Sequence, residues 1–176
     1  MNKIKKTVMI PLSDGMVRQA LGPDTKIIKY SELKQYNNIR DIIPNVNDFF
    51  ICLLEEEPSS GHWTCCMNLK DGMYYFNSYG KKYDTDLSVI PMCIRRILGQ
   101  DKREFARLLD GELMDWNKTN FQGDKSMVCG RYCCLVITMC CMMGYSAEDF
   151  QQFLIDKKNE LKTRTYDELV ARLCPI

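Results

Sequence analysis

Apolar positions along the chain change their spacing several times, and each change marks an element. Phe49 to Leu54 is an unbroken apolar run, the pattern of a strand covered on both faces and therefore placed inside a sheet. His62 to Asn68 and Met73 to Phe76 are β-rich segments separated by Lys70-Asp71-Gly72, and Asp-Gly between two such runs signals a hairpin. Ser13-Asp14 ahead of Met16, Val17, Ala20 and Leu21, with Gly22-Pro23 beyond, predicts a short capped helix; Ser31-Glu32-Leu33 starts a further turn. Leu87 to Leu98, with Pro91 early, and Lys102 to Leu109 predict helices stopped by Gly99 and Gly111. Leu113 to Trp116 predicts another strand. Met127 to Met143 is apolar nearly all round and closes at Gly144, which describes a helix in the middle of the protein. Ser146-Ala147-Glu148-Asp149 and Thr165-Tyr166-Asp167-Glu168 set a hydroxyl cap before acidic residues, so two amphipathic helices finish the chain. The class is α+β.

Composition narrows this little. The 176 residues, 45% hydrophobic and 27% charged, suit one domain over 1–176 and exclude collagen-like, low-complexity and disordered chains. A balance of 24 Lys and Arg against 23 Asp and Glu gives no bulk argument for a nucleic-acid or membrane partner. Local basic clusters are Lys3-Lys5-Lys6, Lys81-Lys82, Arg95-Arg96 and Lys102-Arg103. The ten cysteines include adjacent pairs, Cys65-Cys66, Cys133-Cys134 and Cys140-Cys141, which are poor disulfide partners for one another. Pro11 breaks the apolar run Val8 to Leu12, so no secretory core is expected and the thiols are expected in a reducing compartment. Cys133 to Gly144 is too short to span a bilayer. With one histidine and no paired CxxC, no metal site is expected.

That histidine, His62, is the only imidazole able to exchange protons near neutral pH. It stands at a loop-to-strand junction after Ser59-Ser60-Gly61 and before Trp63. With Asp71-Gly72 as a two-residue loop, Lys70 faces Met73 and Cys66 faces Asn77. Alternation then puts His62, Thr64, Cys66 and Asn77 on one face, where Asn77 can orient the ring. Cys129, followed by Gly130, opens the long apolar helix after Gly123-Asp124-Lys125-Ser126. A helix N-terminus favours a thiolate, and its N–H groups can stabilise an oxyanion. Gln122 can add a second oxyanion donor. Cys133, Cys134, Cys140 and Cys141 lie deeper and read as core.

Gly61-His62-Trp63, Tyr75-Phe76-Asn77-Ser78-Tyr79-Gly80, Gln122 and Ser126-Met127-Val128-Cys129-Gly130-Arg131-Tyr132, in that order, resemble the adenain-like cysteine proteases, whose fold is shared with proteases of ubiquitin-like modifiers. The resemblance covers Phe49 to Met143 and implies a mixed or antiparallel sheet packed on a buried central helix that starts at the catalytic cysteine. It implies His62, Asn77 and Cys129 as the triad, with Gln122 and the Cys129 N–H as the oxyanion hole. Trp63, Gly61 and Gly130 would bind substrate. Six residues separate Gln122 from Cys129 and Val128 precedes the cysteine. Both features are similar to viral maturation proteases; the cellular branch usually has five and an Asp. The departure is Asn77, where the family has Glu or Asp. The implied activity is cleavage of viral capsid or core proteins after small residues, in Gly-Gly-X or Gly-X-Gly contexts, by a monomer in the virion or infected cell. No cofactor is required, although a peptide or DNA activator fits the family. The alternatives are a deubiquitinase or modifier protease, an acyltransferase, and a non-catalytic interaction module.

Overall fold

The structure is a computed structural model and describes residues 3–176. Its five strands are β1 (Ile27–Lys29), β2 (Phe49–Glu57), β3 (Ser60–Leu69), β4 (Gly72–Phe76) and β5 (Met114–Trp116), ordered β1-β2-β3-β4-β5 across one sheet. The two outer pairs are parallel and the two inner pairs antiparallel, so the sheet is mixed. The helices among the described residues are α1 (Lys3–Thr7), α2 (Asp14–Leu21), α3 (Met92–Ile97), α4 (Glu104–Leu109), α5 (Cys129–Ile137), α6 (Ala147–Glu160) and α7 (Tyr166–Leu173). None is long and apolar enough to cross a membrane.

The unbroken apolar run of β2 has its reason in two cores. Ile51 and Leu53 join Trp63, Cys65, Met67 and Phe76 against α2, α5, α6 and α7. Phe50, Cys52 and Leu54 join Cys66 and Tyr75 against the helical turns and short helices between residues 30 and 109. The sheet is therefore a middle layer, and β2 is covered on both faces. Helix α5 is buried except at Leu135 and packs across β3.

Local chemistry sets the element ends, sometimes away from where the pattern puts them. Ser13, Ser146 and Thr165 cap α2, α6 and α7 by accepting from Met16, Asp149 and Glu168 N–H groups at 3.3, 3.0 and 3.1 Å. The helix expected over Leu87–Leu98 is split at Pro91 into a 3₁₀ turn, Thr85–Val89, and α3, because proline lacks the N–H that a continuous helix would use. Helix α4 starts at Glu104, later than Lys102, where the Asp84 carboxylate accepts from Phe105 and Ala106 N–H groups. The helix expected over Met127–Met143 begins at Cys129, passes into a π-helical turn at Thr138–Met142, and leaves Met142 and Met143 exposed.

The hairpin loop is Lys70-Asp71, with Leu69 facing Gly72 and Asn68 facing Met73; the expected pairing of Lys70 with Met73 is off by two residues. Gly72, at φ 128°, enters the strand as its first residue and takes a backbone conformation closed to most side chains. A slip of two keeps every side chain on its face, whereas a slip of one would have reversed them. His62, Cys66 and Tyr75 thus share the face that continues to Asn77.

Gly61 packs against β2 so closely that an added Cβ would stand 2.0 Å from the Leu54 carbonyl oxygen. Gly61→Ala should cost about 2 kcal/mol or more of unfolding free energy in urea denaturation, since backbone must move. Gly15→Ala, in α2 with only the Ser13 Oγ at 3.9 Å, should instead stabilise by about 0.5 kcal/mol. Equal effects would contradict the close approach at Gly61.

Candidate active site

The start of β3 and the end of β4 meet at one end of the sheet, where the N-terminus of α5 also arrives. His62 is buried there, and its Nε2 lies 2.9 Å from Asn77 Oδ1. An amide oxygen only accepts, so Nε2 carries the proton and Nδ1 presents a lone pair. The orientation of the Asn77 amide is fixed independently. Oδ1 also accepts from Tyr79 N–H at 3.0 Å, while Nδ2 donates to Asp86 Oδ2 at 2.6 Å. The backbone of Asn77 is clasped by Asn117, which accepts from its N–H at 2.9 Å and donates to its carbonyl at 2.6 Å. Asp86 is paired with Lys81 at 3.2 Å.

Cys129 is the first residue of α5, buried but reaching the surface at 7% exposure. It lies close enough to the His62 ring to raise the proton affinity of the imidazole. The first backbone bond of the helix runs from Tyr132 N–H to the Val128 carbonyl at 3.1 Å, so the N–H groups of Cys129 to Arg131 precede the helical ladder and point at the sulfur's end of the site. Burial pushes the imidazole toward neutrality. The Cys129 sulfur, the Asn77 bond and the Asp86 charge together outweigh burial, and the ring is held above its ordinary 6.5. The phenol of Tyr79 lies over the imidazole with ring centres 4.9 Å apart; burial and then the Cys129 charge push it up to about 12.

Gln122 sits in the loop ahead of α5. Its Oε1 accepts from Ser78 Oγ at 2.6 Å and its Nε2 donates to the Ser126 carbonyl at 2.9 Å, which leaves one amide N–H for another acceptor. That loop is pinned to α7 by Asp167, which accepts from Gly123 N–H and from the Tyr132 hydroxyl, both at 3.0 Å. Burial holds the Asp167 carboxyl above its ordinary range.

The three residues expected to bind substrate have visible structural duties. Trp63 is 5% exposed, lies in the core beside α5 and donates its indole N–H to the Leu12 carbonyl at 3.1 Å. Gly130 lets Trp63 and Leu12 close on the helix, since an added Cβ would meet them at 3.1–3.2 Å. Gly61 serves the β2 contact described above. The pattern of the sequence did not point to Asp86, Asn117, Ser78 or the segment between α1 and α2. In that segment the Val8, Ile10 and Leu12 carbonyls accept from Met127 N–H, the Arg131 guanidinium and Trp63. Alternating carbonyls carry no sequence signal; Asp86 lay just outside an expected helix.

Apart from Cys93, which is exposed, the other thiols are set apart by burial or partial burial. Burial raises Cys52, Cys65, Cys66 and Cys133, and pushes Cys140 and Cys141 up to about 12. Cys174 is lowered by a hydrogen bond from Cys134 and by Arg131, yet it is buried at the far end of α7. Of the basic clusters, Lys82, Arg95 and Arg103 line a cavity of about 550 Å³ together with Asp84 and Glu112, and Arg95 is engaged with the Gln100 and Asp101 carbonyls. No group of three or more His, Cys, Asp or Glu side chains suits a metal ion among the described residues.

No family model matches the chain. It is similar to "Uncharacterized protein V9" of Sputnik virophage, with 28% identity over 180 residues that cover 98% of this chain and 99% of that protein.

Limiting iodoacetamide at mildly acidic pH, mapped peptide by peptide, should label Cys129 first, and His62→Ala should abolish that preference while leaving Cys174 as it was. Even labelling of accessible thiols would contradict the pairing. Because the folded imidazole is raised, its proton stabilises the fold fully below pH 6.5 and the gain fades as pH climbs through the raised value. The stability difference between wild type and His62→Gln in urea should therefore shrink above pH 6.5; a difference that grows would have the sign wrong.

Proposed function

We propose that the protein is a cysteine endopeptidase of the adenain type. Its substrates are viral structural or core proteins, cleaved after small residues in Gly-Gly-X or Gly-X-Gly contexts during virion maturation. The observation that carries this reading is the oriented imidazole: Nε2–H is committed to Asn77, so the lone pair of the ring is left for the thiol at the start of α5. The full-length similarity to a virophage protein supports the viral branch over a protease of host modifiers.

In this mechanism His62 takes the thiol proton and the Cys129 sulfur forms a bond to the scissile carbonyl carbon. The carbonyl oxygen becomes an oxyanion that accepts from the Cys129 N–H and the remaining Gln122 amide N–H. The C–N bond then breaks as His62 returns its proton to the leaving amine. Water, losing a proton to His62, attacks the thioester carbon; the C–S bond breaks, an acid product leaves, and His62 reprotonates the sulfur.

Fluorogenic peptides with Gly-Gly-X at the scissile bond test the reading. Wild type should cleave them after the second Gly, Cys129→Ala should be inactive, and Gln122→Ala should lose about 10²-fold in kcat. If instead a modifier fusion is cleaved and these peptides and capsid proteins are not, the host-directed alternative holds. Self-acetylation with acetyl-CoA and no hydrolysis would mark an acyltransferase.

A further inference from the structure

Asn77 departs from the carboxylate that the resemblance implies, and Asp86 gives the departure a physical reason. The Asn77 amide is completely buried and divides its two ends: Oδ1 toward the imidazole N–H, Nδ2 toward the Asp86 carboxylate 2.6 Å away. A carboxylate at position 77 would face a second carboxylate at that distance, and two such groups cannot both ionise. The amide, by contrast, donates to one neighbour and accepts from the other. Donating to an anion polarises it and makes its oxygen a stronger acceptor. The negative charge has moved back by one side chain.

We propose that Asp86 is a positioning residue of the catalytic site: through the Asn77 amide it holds the imidazole ring and supplies the charge that stabilises the imidazolium facing Cys129. The inference rests on the Cys129–His62 reading of the site. Asp86 is 8% exposed, its Oδ2 is taken by Asn77, and its Oδ1 faces Lys81 at 3.2 Å on the solvent side. The titratable groups around the imidazole are the Cys129 thiol from α5, the Tyr79 phenol from the loop after β4, and Asp86 with Lys81 behind it.

His62 is the only histidine, so its ring C2 proton is one resonance in an NMR titration and needs no substrate. Asp86→Asn should lower the titration midpoint and slow Cys129 alkylation at pH 6 by about three- to tenfold, a tenfold change corresponding to one pH unit of midpoint. Asn77→Asp alone should be impaired, because it sets two carboxylates against each other. The exchange Asn77→Asp/Asp86→Asn keeps one carboxylate and one amide in complementary contact. It should restore the midpoint and the alkylation rate to within about threefold of wild type, by the same conversion. An unchanged midpoint in Asp86→Asn overturns the proposal. So does an exchange variant no better than the poorer single one, even if Asp86→Asn alone fails to fold. These readouts are separate from peptide cleavage: a midpoint that moves as expected in a protein that cleaves nothing would sustain the Asp86 role and remove the endopeptidase reading.

Discussion

A single buried carboxamide, that of Asn77, joins parts of the chain that come from far apart: the start of β3 through His62, the 3₁₀ turn through Asp86, and the segment after β5 through Asn117. Each polar atom of the residue has a partner, including its carbonyl, which also accepts from Gly80 N–H at 2.7 Å. A net hydrogen bond contributes about 1 kcal/mol, whereas leaving a buried partner unmatched costs about 1–3 kcal/mol. The arrangement is therefore all or nothing, and one tautomer of His62 is selected by the fold before any substrate arrives. Pre-set tautomer and ring angle are what a general base needs.

The other half of the site depends on how α5 is held. Its first turn is braced by the segment between α1 and α2, whose Val8, Ile10 and Leu12 carbonyls reach Met127, Arg131 and Trp63. Gly130 allows that segment to lie close. On the other side Asp167 and Ser78 fix the Gln122 loop. Deep burial sets most of the other nine thiols apart from the one at the start of α5.

Much of this was legible in the residues. The double-sided burial of β2, the capped terminal helices and the start of α5 follow from apolar spacing and from Ser, Thr and Gly at element ends. The shared face of His62 and Asn77 survived a cross-strand pairing displaced by two residues, because side-chain direction depends on parity alone. What was not legible is long-range and polar. Asp84 capping α4, Asp86 behind Asn77 and the carbonyls of residues 8–12 act across 9 to 121 positions or through backbone atoms, between side chains that no apolar periodicity links. Trp63 follows His62 along β3 and so points to the opposite face, into the core beside α5.

On the proposed mechanism Cys129, activated by His62, accepts an acyl group from a glycine-ended peptide. Incubation with a peptide ending in a Gly-Gly vinyl methyl ester, followed by intact and peptide mass spectrometry, tests it most directly. One adduct per chain, confined to Cys129 and lost in His62→Ala, is the predicted result. No adduct, or adducts scattered over several cysteines irrespective of His62, would contradict it.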